Sequence, residues 1–109
     1  MFVRMAKFEG ANPETRDERM TRLRESIEAV KSGNPPEEVP SEAAEVLRSS
    51  IDRVLGLVDR DGNEANAVFC RTEEDLRRVD EILNSMSPGE GDGRRTELSH
   101  YEVLLEVEL

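Results

Sequence analysis

Arg53-Val54-Leu55-Gly56-Leu57-Val58-Asp59-Arg60-Asp61-Gly62-Asn63-Glu64-Ala65-Asn66-Ala67-Val68-Phe69-Cys70 reads as two strands joined by a tight turn. Both flanks are short and largely apolar, and Asp-Gly between such runs is a strong local hairpin signal. A two-residue loop at Asp61 and Gly62 sets Leu57 opposite Asn66, Leu55 opposite Val68 and Arg53 opposite Cys70 on one face. Val54, Gly56, Val58, Ala65, Ala67 and Phe69 then share the other face. Strand side chains alternate sides, so a slip of one residue would exchange the two sets.

Upstream of the hairpin, Phe2 to Glu9 is apolar at both parities, with Phe2, Ala6 and Phe8 on one side and Val3 and Met5 on the other. That pattern predicts a central strand covered on both faces. Asn12-Pro13 is a helix-start signal, after which Met20, Leu23, Ile27 and Val30 recur at helical spacing until Gly33. Asn34-Pro35-Pro36 cannot continue a helix. A shorter helical piece is expected from Ser41, burying Ala44, Leu47 and Ile51.

Downstream, Thr72-Glu73-Glu74-Asp75 resembles a capping box, and Leu76, Val79, Ile82, Leu83 and Met86 form the stripe of a helix ending near Ser87-Pro88. Its acidic first turn suits the helix dipole. Thr96 to Leu109 alternates as a long closing strand, with Tyr101, Val103, Leu105, Val107 and Leu109 on one side. The segments 33–40 and 88–95 read as flexible loops.

This order of elements is that of the split βαβ unit. It predicts an α+β, ferredoxin-like βαββαβ sandwich whose four-stranded antiparallel sheet runs in the order fourth, first, third, second, with helices on one face. Residues 1–109 fit a single domain of this kind. The helices shelter one face of a sheet that is apolar on both, and Val54 to Val58 is an uncharged edge. A homodimer in which two sheets face each other covers that surface, giving a dimeric α+β barrel.

The formal charge of −10 and pI near 4.6 repel phosphate backbones and anionic lipid, so neither nucleic acid nor a membrane is an expected partner. Cys70 is the single cysteine, which leaves no intrachain disulfide and no thiolate pair for zinc. Arg4 and Lys7 interrupt the apolar start of the chain, so no secretory signal is read there and a cytoplasmic address is expected. No metal and no cofactor is expected. Asp59-Arg60-Asp61-Gly62-Asn63 lacks the glycine position and closing glutamate of a calcium loop and reads as a turn.

Several segments together resemble the dimeric α+β barrel superfamily, and within it the antibiotic biosynthesis monooxygenase-like proteins. They are Phe2-Val3-Arg4 to Phe8-Glu9-Gly10, Leu57 to Gly62, Phe69-Cys70-Arg71-Thr72-Glu73-Glu74 and Tyr101-Glu102-Val103. The resemblance implies a pocket between helices and sheet that binds a small apolar or aromatic molecule, and a cofactor-independent monooxygenase-like activity in the active members. Such members place an asparagine on the first strand, a tryptophan near the end of the third and, in haem degraders, a histidine on the following helix. Here the first strand has no asparagine, Cys70 stands at the tryptophan position and the only histidine is on the last strand. The contrasting expectation is a non-catalytic dimerisation module with a collapsed pocket.

Five residues are the pocket candidates. Cys70 is either a thiol activated by Arg53 across the hairpin or a small buried hydrophobe. His100 is an acid–base group or a surface histidine at a strand start. Asn66 interrupts an apolar face and needs a partner for its amide, whether ligand, backbone or water. Arg4 and Arg53 complete the polar set.

Overall fold

The computed structural model describes all 109 residues. The first strand, β1 (Phe2–Glu9), leads through a 3-10 turn at Pro13–Thr15 into α1 (Arg16–Lys31). Asn12 acts at the expected boundary, its Oδ1 accepting from the Glu14 amide at 3.0 Å, but it caps the 3-10 turn and the α-helix starts one turn later. Then follow α2 (Ser41–Ser50), β2 (Ile51–Val58), β3 (Glu64–Cys70), α3 (Glu73–Asn84) and β4 (Arg94–Glu102). Thr72 caps α3 as its sequence suggests, Oγ1 accepting from the Asp75 amide at 3.1 Å.

The sheet is antiparallel in the order β2-β3-β1-β4, and the fold is the α+β, ferredoxin-like one expected. All three helices lie on the face that carries Phe2, Arg4, Ala6, Asn66, Val68 and Cys70. Leu47, Val68, Cys70, Leu76 and Val79 form the core there, between α2, α3 and β3. The opposite face has no helix. It carries Met5, Phe69, Leu55, Leu57 and Tyr101, the last three 39%, 43% and 51% exposed.

The hairpin register differs from the two-residue reading. Leu57 pairs with Ala65, Leu55 with Ala67 and Arg53 with Phe69, one residue away from the expected partners. Asp59 is the cause: its Oδ1 accepts from both the Asp61 and Asn63 amides at 2.9 Å, and its own amide donates to the Asn63 carbonyl. That grip closes a three-residue loop, Arg60-Asp61-Gly62, in which Gly62 alone takes a positive φ of 85°. The face sets change accordingly. Val54, Gly56 and Val58 join Asn66, Val68 and Cys70 on the face that carries the helices, Val58 at its exposed margin, while Arg53, Leu55 and Leu57 join Ala65, Ala67 and Phe69 on the bare face.

The last strand is also shorter than its alternation implies. β4 ends at Glu102, opposite Phe2 of β1, and past that point the Val103 amide bonds back to the Met1 carbonyl at 2.9 Å. Segment 88–95, read as flexible, is tied back by Asn12 N–H to Gly91 O at 2.8 Å and by Asp92 to Arg19 at 3.0 Å. No helix is long and apolar enough to cross a membrane.

Candidate functional site

The helix α1 meets the sheet through Arg16 and Arg19 at Glu64, through Lys31 at the Ile51 carbonyl and where Met20 Sδ lies over Gly56, a Cβ there sitting 3.1 Å from the sulfur; between these contacts it stands off the sheet. The gap is a cavity of about 820 Å³. Ala6, Val54 and Val68 of the sheet form its floor, Leu23, Ile27 and Val30 of α1 its roof, and Leu47, Leu83 and Met86 its flank. Asn66 lies on the floor amid these apolar groups.

A polar ladder closes one end. Arg4, 3% exposed, donates from Nε to Asp80 Oδ1 at 2.8 Å and from Nη2 to Asn84 Oδ1 at 2.8 Å. His100 Nε2 lies 3.0 Å from the same Asp80 oxygen, and Arg95 Nη1 donates to Asn84 Oδ1 at 2.9 Å. Burial opposes the Asp80 charge, but the hydrogen bonds from His100 and Arg4 outweigh it and hold the carboxyl below its ordinary range. Arg4 and Arg95 line the cavity while His100 stands outside it.

Cys70 is fully buried in the core and does not line the cavity. Burial pushes its thiol up to about 11, with Asp75 and Asp52 adding to the shift. Arg53 does not reach it. The register puts Arg53 on the bare face, its guanidinium carbon 5.5 Å from the Phe69 ring centroid. The thiolate fraction at pH 8 is therefore of order 0.1%, and Cys70 is expected to resist iodoacetamide in the folded protein and react on unfolding in urea. Mass spectrometry of the two samples reads this directly; rapid labelling of the folded chain would contradict the burial argument.

The candidates thus separate. Arg4 and Asn66 meet in the cavity, His100 supports Arg4 through Asp80, Cys70 belongs to the core, and Arg53 lies on the other side of the sheet. The sequence reading missed Lys31 and Arg95, which stand at the cavity edge without ion pairs. Lys31 Nζ donates only to the Arg48 and Ile51 carbonyls, at 3.0 and 2.7 Å. The Arg94-Arg95 pair directly after a glycine-rich turn in an acidic chain was the available signal for one of them.

The sheet, the cavity under its helices and the uncovered opposite face together define a ferredoxin-like α+β sandwich. By sequence, no family model and no curated protein matches the chain. By structure, the chain is similar to a crystal structure of an MhuD mutant with two manganese protoporphyrin IX bound per active site. The match covers 99% of each chain at 14% identity with a TM-score of 0.57. At that identity the likeness is one of fold alone, the α+β ferredoxin-like one.

Proposed function

We propose that this chain is a homodimeric small-molecule-binding protein whose cavity takes a largely apolar molecule with an anionic end. The observation that carries the reading is the cavity of about 820 Å³: half of its 24 lining residues are apolar, and it is edged by Lys31 and Arg95. In a chain with 25 acidic and 15 basic residues, cations free of carboxylates at the rim of an apolar hollow favour an anion there. The open hollow supports binding over a dimerisation module with a collapsed pocket. The bare apolar sheet face supports the homodimer.

The MhuD structure holds manganese protoporphyrin IX, a broad apolar ring with two carboxylates. An apolar anion agrees with this cavity, but an imidazole-held metal does not. No histidine, cysteine or tyrosine lines it, and the thioether of Met86 is its one soft donor. The ligand is therefore read as held by apolar contact and charge, with Asn66 orienting it from the floor.

The probe is 8-anilinonaphthalene-1-sulfonate, an apolar aromatic sulfonate. One molecule per chain is expected to bind and fluoresce. Arg95→Ala is expected to weaken binding about tenfold, the equivalent of one charge-assisted hydrogen bond. Leu23→Trp, which fills the hollow from its exposed roof, is expected to abolish it. Binding indifferent to both substitutions in folded protein would refute the reading.

A further inference from the structure

We infer that the cavity takes an elongated dianion, an apolar body with one anionic group at each end. The inference rests on the binding reading proposed above and names the class of molecule that reading would admit.

The two rim cations belong to opposite corners of the hollow. Lys31 ends α1, and its Nζ donates to the Ile51 carbonyl at 2.7 Å and the Arg48 carbonyl at 3.0 Å, where α2 passes into β2. Two of the three ammonium donors are thus spent on the main chain, which fixes the group while leaving its charge without a carboxylate.

The other corner is built at the far edge of the sheet. Arg95, near the start of β4, donates from Nη1 to Asn84 Oδ1 at 2.9 Å, and the buried Arg4 donates from Nη2 to the same oxygen at 2.8 Å. Two guanidiniums therefore converge on one neutral acceptor. Asp80 offsets Arg4, but no carboxylate meets Arg95, so the pair carries an unanswered charge into the cavity. In a chain with ten more acids than bases, four basic residues line this hollow against a single acid, Asp92. That acid is already engaged by Arg19 at 3.0 Å and by the Gly89 amide at 2.7 Å.

The strand register supplies the span. Ile51 pairs with Cys70 and Cys70 with Phe2, so the Lys31 corner lies two strands from β1 and level with Phe2. Arg4 is two residues further along β1. At ~4.8 Å per strand and ~3.4 Å per residue, the backbones of Ile51 and Arg4 are about 12 Å apart. Asp80 holds the Arg4 guanidinium together with His100 of β4, on the side away from β2, so the Arg4 side chain leans off from the Lys31 corner. Between the corners the floor is Val54, Val68 and Ala6. A molecule charged at one end answers one corner only, whereas a dianion of matching length answers both and lays its apolar body on that floor.

Calorimetric titration with straight-chain acids tests this: octanoate and octanedioate, dodecanoate and dodecanedioate. Octanedioate is too short to bridge and is expected to bind more weakly than octanoate. Dodecanedioate reaches both corners and is expected to bind about tenfold tighter than dodecanoate. Lys31→Met is expected to cost dodecanedioate about tenfold and dodecanoate less than twofold, with circular dichroism and anilinonaphthalene sulfonate binding as checks on the fold and the cavity. Sulfonate binding with dodecanedioate no tighter than dodecanoate would overturn the two-ended ligand and leave the binding reading standing. An advantage of dodecanedioate that survives Lys31→Met would overturn Lys31 as the second anchor. A native protein that binds neither the sulfonate nor any of the four acids would remove the binding reading and the dianion together.

Discussion

Replacing Glu64 with alanine is expected to cost about 3–5 kcal/mol of folding stability, the usual result of removing one partner from a buried ion pair. Glu64 accepts from Arg19 through both oxygens, Nη1 to Oε1 and Nη2 to Oε2 at 2.8 Å each, and from Arg16 Nε at 2.9 Å. The Arg19 and Glu64 side chains are 5% and 9% exposed. Without Glu64, the buried guanidinium keeps Asp92 at 3.0 Å, the Thr15 hydroxyl and the Asn12 carbonyl, one carboxylate for a charge that now has two. Chains of this size have roughly 5–15 kcal/mol in all, so urea unfolding should show a large drop in midpoint.

The same site sets an acid limit. The Arg19 hydrogen bonds lower the Glu64 carboxyl below its ordinary value against the opposing effect of burial, and Arg16 lowers it further. Because the folded value is the lower one, this stabilisation is complete above the unfolded carboxylate pKa of about 4.3 and is lost as pH falls through the folded value. Glu64→Gln should therefore flatten the decline in stability below about pH 4. An unchanged acid profile would show that the carboxylate is not coupled to folding.

How far the sequence reveals all this depends on the range of the interaction. Strand order follows from local patterns, the apolar runs at Phe2–Glu9 and Val54–Val58 and the helical spacing at Leu76 and Val79, but the side that the helices cover does not, because runs that are apolar at both parities look alike on either face. The hairpin was legible as a hairpin but not in register. Asp-Gly favours a two-residue loop, and only the Asp59 carboxylate, accepting two backbone amides, shifts the pairing by one. That single step moved Arg53 away from Cys70 and with it the idea of an activated thiol.

The cavity has no local signature at all. Its apolar lining looks like core in the sequence, since Leu23, Ile27 and Val30 have the same helical spacing whether they pack on a sheet or roof a hollow. The Arg4–Asp80 contact spans 76 residues and the Arg19–Asp92 contact 73, so neither periodicity nor a motif announces them. β4 likewise pairs only as far as Glu102, although its alternation runs on to Leu109.

Gly93→Ala is the second substitution expected to act strongly, and it does so through backbone alone. Gly93 sits at φ +80°, where an L residue costs about 1–2 kcal/mol. A Cβ there would also lie 2.3 Å from the Glu9 carbonyl oxygen, 2.7 Å from the Ala11 nitrogen and 2.9 Å from the Gly10 carbonyl carbon. All three are main-chain atoms, so no rotamer relieves the crowding, and shifting them adds roughly 1–3 kcal/mol. Gly10 is the internal control: its φ is +76°, but a Cβ there meets nothing within 4 Å. Gly10→Ala should show the conformational cost alone, and the difference between the two midpoints in denaturant measures the crowding. The Gly93 corner also precedes Arg94 and Arg95 at the cavity mouth. Moving it should therefore weaken aromatic-sulfonate binding in whatever fraction of Gly93→Ala still folds, while Gly10→Ala binds as before. Equal midpoints for the two variants would mean that the close approach of this loop to Glu9 does not hold in solution.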